Sequence, residues 1–252
     1  SRFRDRRNVY LLMDEVVGIN VAAQSLPLPS TTDMQYDYLI LASGSTHSYF
    51  GHDQWEVLAP GLKTVEDALA LRRRVLLAFA LAERQALEHA SHPPFNFVVV
   101  GGGPTGVELA GAISDISRLY MKEDFRHIDP AKAHVIVIEG APRILATYPD
   151  DLSRRATEEL EHLGVEVRNN ANVTDIQPGY VVANGEKVES VVTLWAAGVQ
   201  ASPLGKMLGA ELDKRGAVLV DAFLNPAGHA EIFVCGDLAH VVRPFRDRLD
   251  LR

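Results

Sequence analysis

The sequence predicts an α/β fold in which one domain contains a doubly wound parallel sheet. The first observation behind this prediction is a regular alternation of strand-like and helix-like segments after residue 94. The second is a glycine-rich turn between the first strand and the first helix of that alternation. Strand, helix, strand, helix and strand are expected at residues 96–100, 105–120, 134–139, 150–163 and 165–168. Right-handed crossovers between such elements give a parallel sheet that is covered on both faces.

Shorter apolar runs lie on either side of this alternation. Residues 9–13 and 16–21 are expected to form adjoining strands. The almost continuous apolar run 36–42 predicts a strand that is buried on both faces and ends at a turn rich in serine and glycine. Further strands are expected at residues 173–176, 180–182, 191–196, 218–220 and 232–235.

A long helix is predicted at residues 64–89, because apolar residues recur on its faces with charged residues between them. Thr64 followed by Asp67 resembles a capping box and marks the first turn. The run Ser91-His92-Pro93-Pro94 then breaks the chain, since proline does not fit a helix interior. We place a domain boundary there, which gives the segments 1–93, 94–212 and 213–252, with the first and the last belonging to one domain.

Composition excludes several classes of protein. The net charge of −8 gives neither nucleic acid nor an anionic membrane surface an obvious electrostatic partner. The lone cysteine, Cys235, forms no intramolecular disulfide and indicates a reducing compartment. No apolar run approaches the ~18 to 20 residues that span a bilayer, and the histidines show no spacing typical of a metal site. We therefore expect a cytoplasmic polypeptide without a bound metal.

A glycine-rich motif directly after the strand 96–100 is typical of dinucleotide binding. It has the GxGxxG pattern, follows a strand and opens a helix, which is the context that the motif requires. Its residues, called the glycine loop from here on, are Gly101, Gly102, Gly103, Pro104, Thr105 and Gly106. Gly101 allows the tight turn, Gly103 lets the backbone approach a pyrophosphate, and Gly106 lets helix and strand pack closely. The helix N-terminus offers unpaired N–H groups to the phosphates.

An acidic residue at the end of the next strand, Glu139, complements the glycine loop. Its carboxylate would accept hydrogen bonds from the adenosine ribose and repel a 2′-phosphate, so the pattern predicts NADH rather than NADPH as the ligand. Its separation from Gly103 exceeds the ~20 residues usual for the motif, and we attribute the surplus to a polar insertion at residues 121–132. The alternative is that the glycines only make a turn and that Glu139 only ends a strand.

Two other strand ends predict a second ligand, because ligands in open α/β sheets lie at the carboxyl ends of strands. An aspartate in such a place could accept hydrogen bonds from a polyol such as the ribityl chain of a flavin. The alternative for this aspartate, Asp237, is a helix N-cap. These segments, called the FAD-side turns from here on, comprise Ala42, Ser43, Gly44, Gly236 and Asp237.

Several stretches of the sequence, taken in order, resemble type II NADH:quinone oxidoreductases, which belong to the pyridine nucleotide-disulfide oxidoreductase superfamily. The stretches with this resemblance are residues 38–44, 101–111, 194–199 and 234–239. Residues 46–52 and 138–145 are similar to that family rather than to the wider superfamily. The resemblance covers nearly the whole chain up to about Ala239.

The resemblance implies a Rossmann-like NAD-binding domain inserted into a partial FAD-binding domain. NADH would pass hydride to FAD, and the reduced flavin would pass electrons to a quinone of the respiratory chain. The glycine loop, Glu139, Ala197 and Gly198 would line the NADH site, and the FAD-side turns would contact FAD. Glu108 would lie near the nicotinamide, and the alternative for it is a first-turn carboxylate that favours the helix dipole.

The sequence departs from the family at both ends. The first FAD-binding βαβ unit is expected before residue 1, and the charged residues 243–252 are unlike the C-terminal segment that docks such enzymes on the membrane. Ser43 stands where the family commonly has threonine. We therefore expect a central fragment that binds dinucleotide, retains FAD weakly or not at all, and reduces no quinone by itself. The parent enzyme would lie peripherally on the cytoplasmic face of the membrane, with a homodimer as one option.

Two other functions stay open at this point. One is another flavin-linked NADH reductase, such as a ferredoxin or disulfide reductase. The disulfide branch needs a cysteine pair near the flavin, which a single cysteine does not supply. The other is a non-catalytic NAD-binding module that senses redox state.

Overall fold

The computed structural model describes residues 6–88, 95–121 and 123–242. The chain divides into two compact units. The inserted unit is His47–Gly198, and the discontinuous unit combines Ser1–Thr46 with Val199–Arg252. One domain is thus inserted into another, as the sequence predicts, but the insertion points lie at residues 47 and 198 rather than near residues 93 and 212.

Fifteen strands and four α-helices occur in the described residues. The strands are β1 (Ser25–Leu26), β2 (Met34–Gln35), β3 (Leu39–Leu41), β4 (Ser45–His47), β5 (Asn96–Val100), β6 (His134–Ile138), β7 (Val165–Arg168), β8 (Val173–Gln177), β9 (Tyr180–Ala183), β10 (Glu186–Glu189), β11 (Val192–Trp195), β12 (Val199–Ala201), β13 (Val218–Val220), β14 (Ile232–Val234) and β15 (Ala239–Val241). The α-helices are α1 (Val65–Glu88), α2 (Pro104–Asp115), α3 (Asp150–His162) and α4 (Leu204–Met207). Shorter helical turns cover Asp53–Val57, Ile116–Tyr120, Pro130–Lys132 and Gly236–Leu238.

Four parallel strands form the centre of the inserted unit, in the order β11-β5-β6-β7. Successive residues of β5 point into two separate cores, Phe97 and Val99 into one and Val98 into the other. A strand that is buried on both faces carries a continuous apolar run, which is why the sequence predicts β5 with its observed bounds. The bounds of β7, an edge strand, also match the prediction. The Rossmann-like parallel core predicted from the sequence is confirmed.

Helices α1, α2 and α3 cover one face of this sheet. The long helix α1 packs Val75 and Phe79 into that core, where the rings of Phe79 and Phe97 lie 5.4 Å apart. Its capping box forms as predicted, because Asp67 N donates to Thr64 Oγ1 at 3.0 Å and Thr64 N donates to Asp67 Oδ2 at 2.8 Å. Helix α1 therefore belongs to the inserted unit, and its predicted assignment to the same domain as residues 213–252 is wrong. The predicted chain break at residues 91–94 lies outside the described residues.

The other face of the parallel sheet is covered by a three-stranded antiparallel sheet, β10-β9-β8. Its inward residues Ile176, Val181 and Val188 pack against Ile136 and Trp195. The alternation of strands and helices therefore ends at β7. The second face of the parallel sheet is covered by an antiparallel sheet and not by helices. Strand β10 is missing from the sequence prediction, because it has one buried apolar residue and depends on pairing with β9.

The discontinuous unit has smaller sheets. Strand β3 pairs in parallel with β14, and β13 pairs in parallel with β15. The prediction that this strand is buried on both faces is wrong, since Ile40 of β3 is 69% exposed. Residues 9–13 and 16–21 are not strands, and Met13 is fully exposed. The reason is that a strand needs a hydrogen-bonded partner, and the described residues offer none to residues 9–13.

Candidate dinucleotide site

The glycine loop begins at the carboxyl end of β5, in the inserted unit. Gly101 donates its N–H to the carbonyl oxygen of Ile138 at 2.8 Å, which joins the loop to the end of β6. Its φ of +109° lies in the region that favours glycine. A Cβ on Gly101 would lie 2.5 Å from the carbonyl carbon of Ala196, just after β11. The first glycine is therefore required by both backbone conformation and space.

The other two glycines of the motif differ in what surrounds them. A Cβ on Gly106 would overlap the carbonyl oxygen of Gly101, so this glycine lets α2 approach the strand. A Cβ on Gly103 would meet nothing within 4 Å. Gly103 is the N-cap of α2, Pro104 occupies the first turn, and Thr105 is exposed. The open space beside Gly103 and the exposed helix N-terminus are the features that a pyrophosphate needs.

Glu139 lies directly against the glycine loop. Its Oε2 accepts a hydrogen bond from the backbone N–H of Gly102 at 2.5 Å, and its Oε1 accepts one from Ala141 N at 2.7 Å. A carboxylate has about four lone-pair positions, so each oxygen keeps an acceptor position after these bonds. The two backbone donors fix the carboxylate in place while leaving it able to accept ribose hydroxyls.

The residues after β11 adjoin the same loop. The peptide nitrogen of Ala197 lies 2.5 Å from the Cβ position of Gly101. Gly198 accepts a hydrogen bond from Ser48 N at 3.0 Å, and a Cβ on Gly198 would lie 2.7 Å from the ring of Phe50. Strand order β11-β5-β6 therefore brings Ala197, Gly198 and Glu139 to the two sides of the glycine loop.

Aromatic rings pack against Trp195, the last residue of β11. Trp195 stacks on Tyr49 with ring centroids 5.0 Å apart, and its Nε1 donates to the carbonyl oxygen of Ser48 at 2.9 Å. Burial raises the pKa of Tyr49 to about 12, and the charge of Glu56 contributes to the rise. The phenol therefore stays protonated and donates to the carbonyl oxygen of Ala59 at 2.9 Å. Trp195 is a core residue.

Glu108 is exposed on α2, four residues after Pro104. Since α2 begins at Pro104, its first turn contains no acidic residue. The alternative role of Glu108 as a first-turn carboxylate is therefore wrong. Its place near a nicotinamide stays a prediction.

The FAD-side turns meet within the discontinuous unit. Strands β3 and β14 run in parallel with Leu41 opposite Val234, so both turns follow the same edge of this sheet. Ser45 Oγ donates to Asp237 Oδ2 at 2.8 Å, which joins the two turns directly. Gly44 and Gly236 have φ values of +66° and +70°. Ala42 and Ser43 are exposed, and the N-cap of the following helical turn is Cys235 rather than Asp237, so the N-cap alternative for Asp237 is wrong.

Sequence reasoning missed three residues at these sites. Ser45 bonds Asp237 from 192 positions away, a pairing that no local pattern reveals. Ile144 and Leu145 contact Gly102 from a turn after Glu139. Their signal in the sequence was the resemblance of residues 138–145 to a family motif. Among the described residues, no three His, Cys, Asp or Glu side chains are grouped in a way that could hold a metal ion.

No helix in the described part of the chain is long and apolar enough to cross a bilayer. A parallel sheet with this glycine loop and an acid at the end of the next strand defines a dinucleotide-binding class of α/β proteins. Residues 3–250 match the family model for pyridine nucleotide-disulphide oxidoreductases, and the chain belongs to that family.

Within the family, the chain resembles type II NADH:quinone oxidoreductases, as the sequence predicts. It is 41% identical over 250 residues to the type II NADH:quinone oxidoreductase Ndh of Mycobacterium tuberculosis, an alignment that covers 94% of this chain and 54% of that protein. It is 42% identical over 252 residues to NdhA of the same organism, covering 94% and 53%. The chain thus spans about half the length of these curated relatives.

A solved structure gives the same fold. The structure of NDH2 from Plasmodium falciparum in complex with NADH superposes with a TM-score of 0.79 at 21% sequence identity, covering 91% of this chain and 50% of that one. At this identity the likeness concerns the fold alone.

Proposed function

We propose that this chain binds NADH at the glycine loop and forms the NADH-binding part of an FAD-dependent NADH:quinone oxidoreductase. The observation that carries the proposal is the carboxylate of Glu139, which the Gly102 amide holds at 2.5 Å directly against the loop. The similarity to type II NADH:quinone oxidoreductases supports it.

The residues present fit a nicotinamide dinucleotide. Gly103 leaves open space at the N-terminus of α2, where the pyrophosphate would accept hydrogen bonds from backbone N–H groups. Glu139 keeps acceptor positions for the adenosine ribose and would repel a 2′-phosphate. Ala197 and Gly198 would line the path of the dinucleotide beyond the glycine loop, and Glu108 would approach the nicotinamide.

The FAD-side turns fit a polyol ligand. Asp237 is exposed and oriented by Ser45, so its carboxylate could accept hydrogen bonds from the ribityl chain of FAD. The left-handed conformations of Gly44 and Gly236 keep side chains away from the same edge of the sheet. Ala42 and Ser43 would contribute backbone and hydroxyl contacts. FAD would accept hydride from NADH, and this chain's residues would position the two rings rather than donate a proton.

In the whole protein, we propose a quinone as the final electron acceptor. Membrane association would use segments other than those described here. The cytoplasmic side of the membrane as the location and a homodimer as the assembly belong to the same proposal.

The experiment that tests the NADH site compares NADH with NADPH in Glu139→Gln. Titration calorimetry on the unsubstituted chain should show tighter binding of NADH. Loss of the negative charge removes a like-charge repulsion that costs several kcal/mol, so the preference for NADH should narrow by at least about tenfold. Exposed Glu159 on α3 gives a matched control, Glu159→Gln, which should keep the preference. Tighter binding of NADPH by the unsubstituted chain would contradict the proposal.

A further inference from the structure

The turn after Glu139 closes over the glycine loop at Gly102. Leu145 N donates to the carbonyl oxygen of Gly102 at 2.7 Å. A Cβ on Gly102 would lie 2.6 Å from Cγ2 of Ile144, a residue that is fully buried. The carbonyl oxygen of Ile144 in turn accepts a hydrogen bond from Ser153 Oγ on α3 at 2.6 Å. Gly102 is therefore held at both polar groups, its N–H by Glu139 and its C=O by Leu145.

The side chain of Arg143 holds this turn together. Its Nη1 donates to the carbonyl oxygens of Leu145 at 3.3 Å and Tyr148 at 3.0 Å. Its Nη2 donates to the carbonyl oxygen of Ala146 at 3.0 Å and lies 2.9 Å from Oδ1 of Asp150. A planar guanidinium reaches this set of acceptors at once, which a lysine ammonium does not. Leu145 has φ of +49°, a conformation that is uncommon for a leucine and needs such support.

We propose that Arg143 is a positioning residue for NADH. It holds residues 143–148 against Gly102 and thereby fixes the Gly102 amide that anchors the Glu139 carboxylate. Because both Nη groups are used by backbone carbonyl oxygens and by Asp150, the outer edge of the Arg143 guanidinium is not available to a 2′-phosphate. Its effect passes through Glu139 and so concerns the ADP-ribose half of the dinucleotide. This inference rests on the proposed function.

The test uses the full chain with Arg143→Met, which keeps an unbranched apolar stem at this position and removes the hydrogen-bond donors of the guanidinium. The dissociation constant for NADH, measured by calorimetry, should rise at least tenfold. The constant for NADPH should change less than threefold, because a loosened Glu139 can turn away from the 2′-phosphate. The preference for NADH over NADPH therefore narrows. A general loss of stability would weaken the binding of both dinucleotides equally and would not change this preference. Arg143→Lys should recover part of the NADH affinity.

A matched control is Arg154→Met on α3, which removes a similar exposed ion pair, to Glu158, away from the loop. It should leave both affinities within twofold. If Arg143→Met does not fold, Asp150→Asn removes the negative charge from one partner of the guanidinium. The preference for NADH over NADPH should then narrow by two- to threefold. NADH affinity within twofold in folded Arg143→Met, or equal losses for NADH and NADPH, overturns this inference alone. If the unsubstituted chain binds no NADH, the proposed function falls with it.

Discussion

The inserted and the discontinuous unit support their predicted ligand turns in different ways. In the inserted unit, Val98 and Val99 of β5 are fully buried, so the strand that leads into the glycine loop is packed from both faces. In the discontinuous unit, Ile40 of β3 is 69% exposed and Tyr38 is 73% exposed. The difference teaches that a buried strand fixes the glycine loop by packing, whereas the FAD-side turns depend on one strand pair and on the bond from Ser45 to Asp237.

The largest loss of stability is expected at the position of the glycine loop where an added Cβ has no room. In Gly106→Ala, the new Cβ would overlap the carbonyl oxygen of Gly101. We expect the free energy of unfolding to fall by about 3 kcal/mol, the upper range for overpacking, because the obstacle is backbone and cannot change rotamer. NADH binding should be lost with it. Denaturant unfolding and calorimetry measure the two quantities.

Gly103→Ala is the matched variant, since its Cβ would meet nothing within 4 Å. Its stability should stay within about 1 kcal/mol, the usual difference at an N-cap. Its NADH affinity should still fall by at least about tenfold, about 1.4 kcal/mol, because the methyl group occupies the space for the pyrophosphate. Equal stability losses in Gly106→Ala and Gly103→Ala would contradict the view that Gly106 is tightly packed and Gly103 is open.

A smaller change in the free energy of unfolding is expected from removing one methyl group from β6 in the inserted unit or from β3 in the discontinuous unit. Ile136 on β6 is 1% exposed, so Ile136→Val should lower the free energy of unfolding by about 1 kcal/mol. Ile40→Val on β3 keeps the β-branched shape at an exposed position and should change it by less than about 0.5 kcal/mol. Urea denaturation of both variants checks the contrast. A larger loss in Ile40→Val would mean that β3 is covered in solution.

The same contrast decides how much could be predicted from the sequence. The run of β5 predicts its own burial, and the glycine loop and Glu139 follow from strand ends with a known spacing. Strand β10, by contrast, has Val188 as its one buried residue and is stabilised by pairing with β9, which lies outside any local pattern. Residues 9–13 show the opposite failure, since an apolar run predicts a strand even where no described partner exists.

The candidate site follows the same rule. The glycine loop and Glu139 could be predicted because each belongs to a local motif next to its own strand. The bond from Ser45 to Asp237 and the contact of Leu145 with Gly102 depend on how distant segments meet, and only the fold shows them. The antiparallel sheet on the second face of the parallel sheet could not be predicted from a local pattern either, because helices and a sheet can both bury the same apolar face.

The smallest effect is expected from a carboxylate in each unit that holds a turn through backbone N–H groups and a histidine. In the inserted unit, Glu83 on α1 accepts hydrogen bonds from the amides of Arg126, His127 and Ile128 and from His127 Nδ1. Burial alone would raise the pKa of Glu83, but these bonds outweigh it and lower the pKa to about 2. In the discontinuous unit, the bond from His240 Nδ1 is the main cause that lowers the pKa of Asp213.

Because the folded pKa of Glu83 lies below its unfolded value of 4.5, its stabilising effect is fully present above pH 4.5 and is lost as the pH falls toward 2. Glu83→Gln should therefore lower the unfolding temperature at pH 7, and the gap to the unsubstituted chain should close between these two pH values. Asp213→Asn should show a gap that starts to close only below about pH 3.8, its ordinary value. Thermal unfolding followed by circular dichroism across this range measures both. A gap for Glu83→Gln that persists unchanged at pH 2 would mean that the amides of residues 126–128 do not depend on the ionised carboxylate.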